Sequence, residues 1–139
     1  TIQEIRKYSD RPILIRSHRH SGENQQLKED KKNLDFILSN YKDITHTRLG
    51  ETSIYDDLKN AWACVVYTST SGAVAMLEGI PMFSTHEACF SHQWSAGKLS
   101  DIEDPSLNSR EKYITYYANA HWNLKEVRSG LYWEKYATI

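Results

Sequence analysis

Trp62-Ala63-Cys64-Val65-Val66-Tyr67-Thr68-Ser69-Thr70-Ser71-Gly72 runs into Ala73-Val74-Ala75-Met76-Leu77-Glu78-Gly79 and then into Ile80-Pro81-Met82-Phe83-Ser84. The first part is an apolar run bounded by turn residues, with no polar alternation. That pattern suits a parallel strand covered on both faces. The hydroxyl-rich turn Thr68–Gly72 then opens a helix of small and apolar residues that can lie flat on a sheet. Gly79 is placed as its C-cap, and Pro81 stops any continuation before a second buried strand. The first N–H groups of a helix lack internal partners and carry the positive end of its dipole, so the turn is a candidate anion seat. Thr68, Ser69, Thr70 and Ser71 add hydroxyl donors, and Gly72 would let a ligand approach the backbone. An ordinary α/β unit with a Ser/Thr cap has the same composition.

Working outward, the segment before this unit opens on another turn and strand. Arg11-Pro12 marks a turn, and Ile13-Leu14-Ile15 reads as a short buried strand. It ends in Arg16-Ser17-His18-Arg19-His20-Ser21-Gly22. In open α/β sheets ligands sit beyond the carboxyl ends of strands. Arg16, His18 and Arg19 at such an end could meet a diphosphate or a sugar carboxylate, because arginine offers a planar fork of donors. A solvated basic loop is the plainer account. A metal held by His18 and His20 is a further one, with no spacing for a third ligand. Glu23–Asn33 is charged and is either a loop or a solvated helical turn. Leu34, Ile37, Leu38 and Tyr41 mark an amphipathic helix. Asp43-Ile44-Thr45 is a candidate strand, and Ser53 with Asp56 opens a short helix.

On the other side, His86 and Glu87 fall just past the second strand, where a neutral imidazole can donate to phosphate or accept from a sugar hydroxyl. Trp94 either covers a base or closes the core. Asn108 or Ser109 starts a helix bearing Tyr113, Ile114, Tyr116 and Tyr117. Asn123 caps a last helix whose Leu124, Val127, Leu131 and Trp133 are the candidate inward residues.

The pattern from Trp62 to Phe83 resembles the donor-binding segment of GT-B glycosyltransferases, closest to capsule-polysaccharide-synthesis proteins and their phage and marine-bacterial relatives. The likeness spans Ile13 to about Glu103 and is weaker in the tail. In that family a strand ends in a Ser/Thr-rich turn, a helix follows, and a Gly-x-Pro step leads to the next strand, as Gly79-Ile80-Pro81 does here. An Arg-x-His-Pro step matches Arg16 and His18, with Arg19 where proline is common. Many relatives carry a helix glutamate that reaches the donor ribose; the corresponding place here is Ala75. The resemblance implies a three-layer Rossmann-like α/β domain with a mainly parallel sheet and C-terminal helices. It also implies a CMP- or UDP-linked nucleotide sugar as ligand, bound without a cofactor or metal, and a role in glycan synthesis. GT-B enzymes pair two such domains, and residues 1–139 hold one. A second domain or a second copy is therefore an expected partner. A non-catalytic nucleotide- or sugar-binding module, or a sugar-nucleotide epimerase, are the other readings.

Composition bounds these expectations. The 139 residues suffice for one domain with a core, and 40% are hydrophobic. A formal net charge of −1 argues against a nucleic-acid footprint. Cys64 and Cys89 read as core thiols of a reducing, cytoplasmic compartment. No apolar run is long enough to span a membrane, and no signal-peptide pattern is read before the first strand. Nucleophile-elbow, Walker A, Gly-x-Gly-x-x-Gly and structural-zinc patterns are absent.

Overall fold

The computed structural model describes residues 1–17, 25–48, 51–107, 109–131 and 134. The chain is α/β. It contains two parallel strand pairs, each bridged by a helix. Strand β1 (Ile13–Ser17) pairs with β2 (Ile44–Arg48) across helix α2 (Gln25–Asn40). Strand β3 (Cys64–Val66) pairs with β4 (Met82–Ser84) across α4 (Ser71–Leu77). Parallel partners cannot be joined by a tight hairpin, so a helical crossover is what the pairing requires. Helix α1 (Ile2–Ile5) precedes the first pair and α3 (Ile54–Leu58) joins the two; α5 (Arg110–Ala120) and α6 (Leu124–Arg128) follow the second. Among the described residues the four strands form two separate ladders, not one continuous hydrogen-bonded sheet.

The β3–β4 pair is packed on both faces, as its uninterrupted apolar sequence requires. Val66 and Met82 join Ala73 and Met76 of α4, Cys89 and Tyr113 of α5 in one buried cluster, with Cys64 against it. Phe83 on the opposite face joins Ile5, Ala96 and Ile102, with Val65 and Ile13 packed alongside. Alternate strand residues thus serve alternate layers. Ile13 belongs to β1, so the second cluster also ties the two strand pairs into one core.

Two glycines explain how α4 fits. A Cβ on Gly72 would lie 3.1 Å from both Met82 Cγ and Val66 Cγ2, so this residue lets the helix settle onto the strands. Gly79 ends the helix with φ at +82°. Its N–H donates to Met76 O (3.2 Å) and the Ile80 N–H donates to Ala75 O (2.8 Å). This is the double closure of a Schellman motif. Arg110 completes the cap from α5: its Nε and Nη2 donate to Met76 O and Leu77 O at 2.9 and 3.0 Å. A side chain in left-handed backbone costs roughly 1–2 kcal/mol. Gly79→Ala is therefore expected to lower the urea unfolding midpoint by that free energy with an unchanged slope; an unaltered midpoint would show that the cap is dispensable.

Helix α2 begins at Gln25, so of the two expectations for the charged stretch through Asn33 the helical one holds from that residue on. Its Gln, Lys and Glu residues are good helix formers even without an apolar stripe. Leu38 is exposed. In the tail, Asn123 does cap α6, accepting from the N–H groups of Lys125 and Glu126. Leu124, Val127 and Leu131 nonetheless face outward, Leu124 with 72% of its surface open. Trp133 lies outside the described residues. Trp94 closes the core, its ring 5.1 Å from that of Tyr113 and 4.7 Å from that of Tyr116.

Candidate functional site

The turn after β3 and the loop after β4 meet at the carboxyl ends of the two strands. Thr85 joins them directly: its N–H donates to Val66 O at 2.9 Å, and its hydroxyl donates to the same oxygen at 3.3 Å. Beyond that clasp the ring of Tyr67 rests against the ring of His86, with centroids 4.5 Å apart. Tyr67 is 59% exposed, and His86 is half-buried. Thr68, Ser69 and Thr70 are exposed and Ser71 is half-buried. The hydroxyl turn thus begins one residue after Tyr67, the ring partner of His86. Glu87 is exposed next to His86.

The turn is closed more fully than a bare helix start. Ser71 N–H donates to Ser69 Oγ (3.2 Å), Gly72 N–H to Ser69 O (3.3 Å) and Ala73 N–H to Thr70 O (3.0 Å). The Ser69 hydroxyl donates to Ser71 Oγ at 3.0 Å. The backbone donors expected to face an anion are thus engaged within the turn. What the turn presents outward is hydroxyl groups. Gly72 is buried against Met82, Val66 and Ser91, so it serves packing and not ligand approach. Ala75 is fully buried. The first turn of α4 carries no acidic residue, and Glu78 appears only at its C-cap.

His86 sits on a tightly bonded loop. Its carbonyl accepts from Ser84 Oγ (2.9 Å) and Cys89 N–H (3.1 Å). Its ring Nδ1 accepts from the Ala88 N–H at 3.1 Å. Below the loop, Cys89 Sγ lies 3.2 Å from Ser91 Oγ, both buried. Burial opposes ionisation of Cys89, but hydrogen bonds from Ser91 and Ser84 outweigh it and lower the thiol pKa. Burial pushes Cys64 up to about 11. Both cysteines are free thiols.

A second polar cluster closes the carboxyl end of β1–β2. Arg16 and Thr47 are register partners, so they share a face, and both reach Asp57 on α3. Arg16 Nη1 is paired with Asp57 Oδ2, and Nη2 donates to Thr52 O at 2.9 Å. Thr47 and Thr52 hydroxyls donate to the same carboxylate at 3.1 and 2.8 Å. Desolvation raises the Asp57 pKa. Hydrogen bonds from Thr52, Arg16 and Thr47, with the Arg16 charge, more than reverse this and hold it below the ordinary value. On the other face Ser17 Oγ lies 2.7 Å from His46 Nε2. Among the described residues no hydrogen bond or ion pair links Arg16 to Thr68–Gly72. His18 and Arg19 lie outside the described residues, as does the histidine pair considered for a metal.

Sequence reasoning placed the turn and His86 just past strand ends, where the structure has them. It missed Tyr67 as a ring partner of His86, and Asp57 as the hub of the Arg16 cluster. The N-terminal segment has its own bonds: Arg11 donates to Glu103 at 3.0 Å and lies 4.0 Å over the Trp62 ring. A shallow depression lined by Arg6–Arg11 and Glu103 opens beside it. No group of three or more His, Cys, Asp or Glu among the described residues is placed to hold a metal, and no described helix is long and apolar enough to cross a membrane. Comparison with protein-family models, curated proteins and solved structures gives no match.

Proposed function

We propose that this chain is the nucleotide-sugar donor-binding domain of a glycosyltransferase of glycan synthesis, a Rossmann-like unit that acts with a second domain or subunit. The observation that supports it most is the contact of Tyr67, which leads into the Thr68–Ser71 turn, with His86 at the carboxyl end of a parallel strand pair, where α/β proteins bind ligands. The resemblance of Trp62–Phe83 to GT-B donor segments points the same way. In this reading the hydroxyls of Thr68, Thr70 and Ser71 receive the phosphates of a CMP- or UDP-linked sugar, and Glu87 supplies an acceptor for ribose hydroxyls. Arg16 acts by bracing the exit of β1 against α3, since its Nη1 and Nη2 donate to Asp57 and Thr52. His18 and Arg19, next in the chain, remain the cationic candidates. Stabilising the leaving phosphate in this way would favour transfer without a covalent intermediate.

A hydrogen bond to a charged group is worth about 1.5–3 kcal/mol. Thr70→Val with Ser71→Val is therefore expected to weaken UDP or CMP binding by roughly tenfold or more in calorimetric titration. Absence of saturable binding of CMP, UDP and GDP to the unaltered chain would refute the proposal. Ala75, fully buried at the place where many GT-B relatives carry a glutamate, favours a second reading, a module that binds the nucleotide or sugar without turning it over. Turnover of a nucleotide sugar, alone or with a partner protein, decides against that alternative.

A further inference from the structure

We infer that His86 is a fixed hydrogen-bond donor, presenting Nε2–H to a phosphate oxygen of the ligand while the Tyr67 ring supplies the neighbouring stacking face. The inference rests on the nucleotide-binding reading above and gives that site a polarity. It starts from a backbone amide. The Ala88 N–H can only donate, and it points at His86 Nδ1 over 3.1 Å. Nδ1 must therefore carry the lone pair, and the proton of the neutral ring sits on Nε2. The ring is held at both ends. Its backbone is fixed by Ser84 Oγ and the Cys89 N–H, and its face lies against Tyr67. Ser84 is itself anchored, its N–H donating to Ser95 Oγ at 3.3 Å. A donor so constrained loses little freedom on binding.

The surroundings select the class of group it meets. An Nε2–H cannot accept, so it recognises an oxygen with a free lone pair. Thr68 and Thr70, exposed on the turn that follows Tyr67, carry hydroxyls that can also donate. A set of donors matches the multiple acceptor oxygens of a phosphate better than a single sugar hydroxyl. Tyr67, exposed at the end of β3, offers a flat π-face of the kind on which bases and sugars rest.

Two measurements test this. The first needs no ligand: long-range proton–nitrogen correlation spectra of the His86 ring should show the neutral tautomer carrying its proton on Nε2. A ring protonated at Nδ1 overturns the inference and leaves the nucleotide reading standing. The second is calorimetric titration of the full chain and its variants with UDP and CMP, and separately with uridine and cytidine. His86→Ala should weaken both nucleotides by about tenfold and leave both nucleosides unchanged. His86→Gln, whose amide nitrogen can occupy the Nε2 position, should recover part of the loss. Tyr67→Leu should weaken nucleotides and nucleosides alike, and Tyr67→Phe should not. Equal loss for nucleotides and nucleosides in His86→Ala, or no loss, assigns His86 a structural role and overturns the inference. Should His86→Ala fail to fold, the comparison of His86→Gln with the unaltered chain carries the same decision. No binding by the unaltered chain removes the inference together with the reading beneath it.

Discussion

Asp57→Ala is expected to destabilise the fold by about 3 kcal/mol or more, the range found when one partner of a buried ion pair is removed. The reason is what the substitution leaves behind. Arg16 has only 16% of its side-chain surface open, and Asp57 has 10%. Without the carboxylate, a guanidinium stays largely desolvated with only the carbonyl and hydroxyl oxygens of Thr52 as its acceptors among the described residues. The hydroxyls of Thr47 and Thr52 lose their acceptor at the same time. The loss should appear as a lower urea midpoint with an unchanged slope. Arg16→Met combined with Asp57→Leu removes both charges and should restore most of the stability, because apolar residues of similar volume replace such pairs at little cost. A double variant no better than Asp57→Ala would mean that the ion pair does more than neutralise itself.

The same carboxylate predicts an acid limit. Its folded pKa lies below the ordinary 3.8, so its contribution is complete above that value. It declines as pH falls through 3.8 and is gone once pH passes below the folded value. Glu103 declines in the same direction: a hydrogen bond from Ser9, then the Arg11 hydrogen bond and charge, lower its pKa against the opposing effect of desolvation. The difference between the unaltered chain and Asp57→Asn therefore isolates Asp57. That difference should narrow as pH drops below 4, and a constant gap would show that the Asp57 charge is not what matters.

These two clusters show what is legible in a sequence of this kind. The unit from Cys64 to Ser84 could be read because its determinants are contiguous. An apolar run, a hydroxyl turn, a small-residue helix, Gly79 and Pro81 each act on neighbours within a few residues. Arg16 could be placed at a strand end by the same local logic. Its partner could not, because Asp57 is 41 positions away and meets Arg16 only through the β1–β2 register and the placement of α3. Tyr67 and His86 are likewise joined by a strand pairing and not by spacing. The tail failed for a different reason. Leu124, Val127 and Leu131 have helical spacing, but periodicity identifies a shared face without saying what covers it. In α6, only five residues long, that face is open. The hydroxyl turn shows the limit for function as well: its composition was plain, while the closure of its N–H groups upon Ser69 and Thr70 was a matter of three-dimensional geometry.

Tyr113 carries a prediction in which two substitutions move in opposite directions. Its side chain is fully buried at the centre of α5, with rings of Trp94 and Tyr117 at 5.1 and 5.8 Å. Tyr113→Ala removes the largest fully buried side chain and should cost about 3–5 kcal/mol, as for other aromatic truncations in packed cores. Its hydroxyl, however, meets no hydrogen-bond partner among the described residues. A buried unpaired hydroxyl costs roughly 1–3 kcal/mol relative to its state in water. Tyr113→Phe keeps the ring and removes that penalty, so it should raise the unfolding midpoint. Burial, reinforced by the nearby Tyr117 and Tyr116 phenols, pushes the Tyr113 pKa up to about 12. The folded state therefore holds this proton more tightly than the unfolded chain does. The stability tied to that preference is present below the ordinary value of 10 and is lost as pH rises from there through about 12. In Tyr113→Phe this part of the alkaline decline disappears. Thermal melts of both proteins across that range decide the matter: a phenylalanine variant that is less stable at neutral pH would show that the hydroxyl has found a partner, and would place a polar contact inside the α4–α5 core.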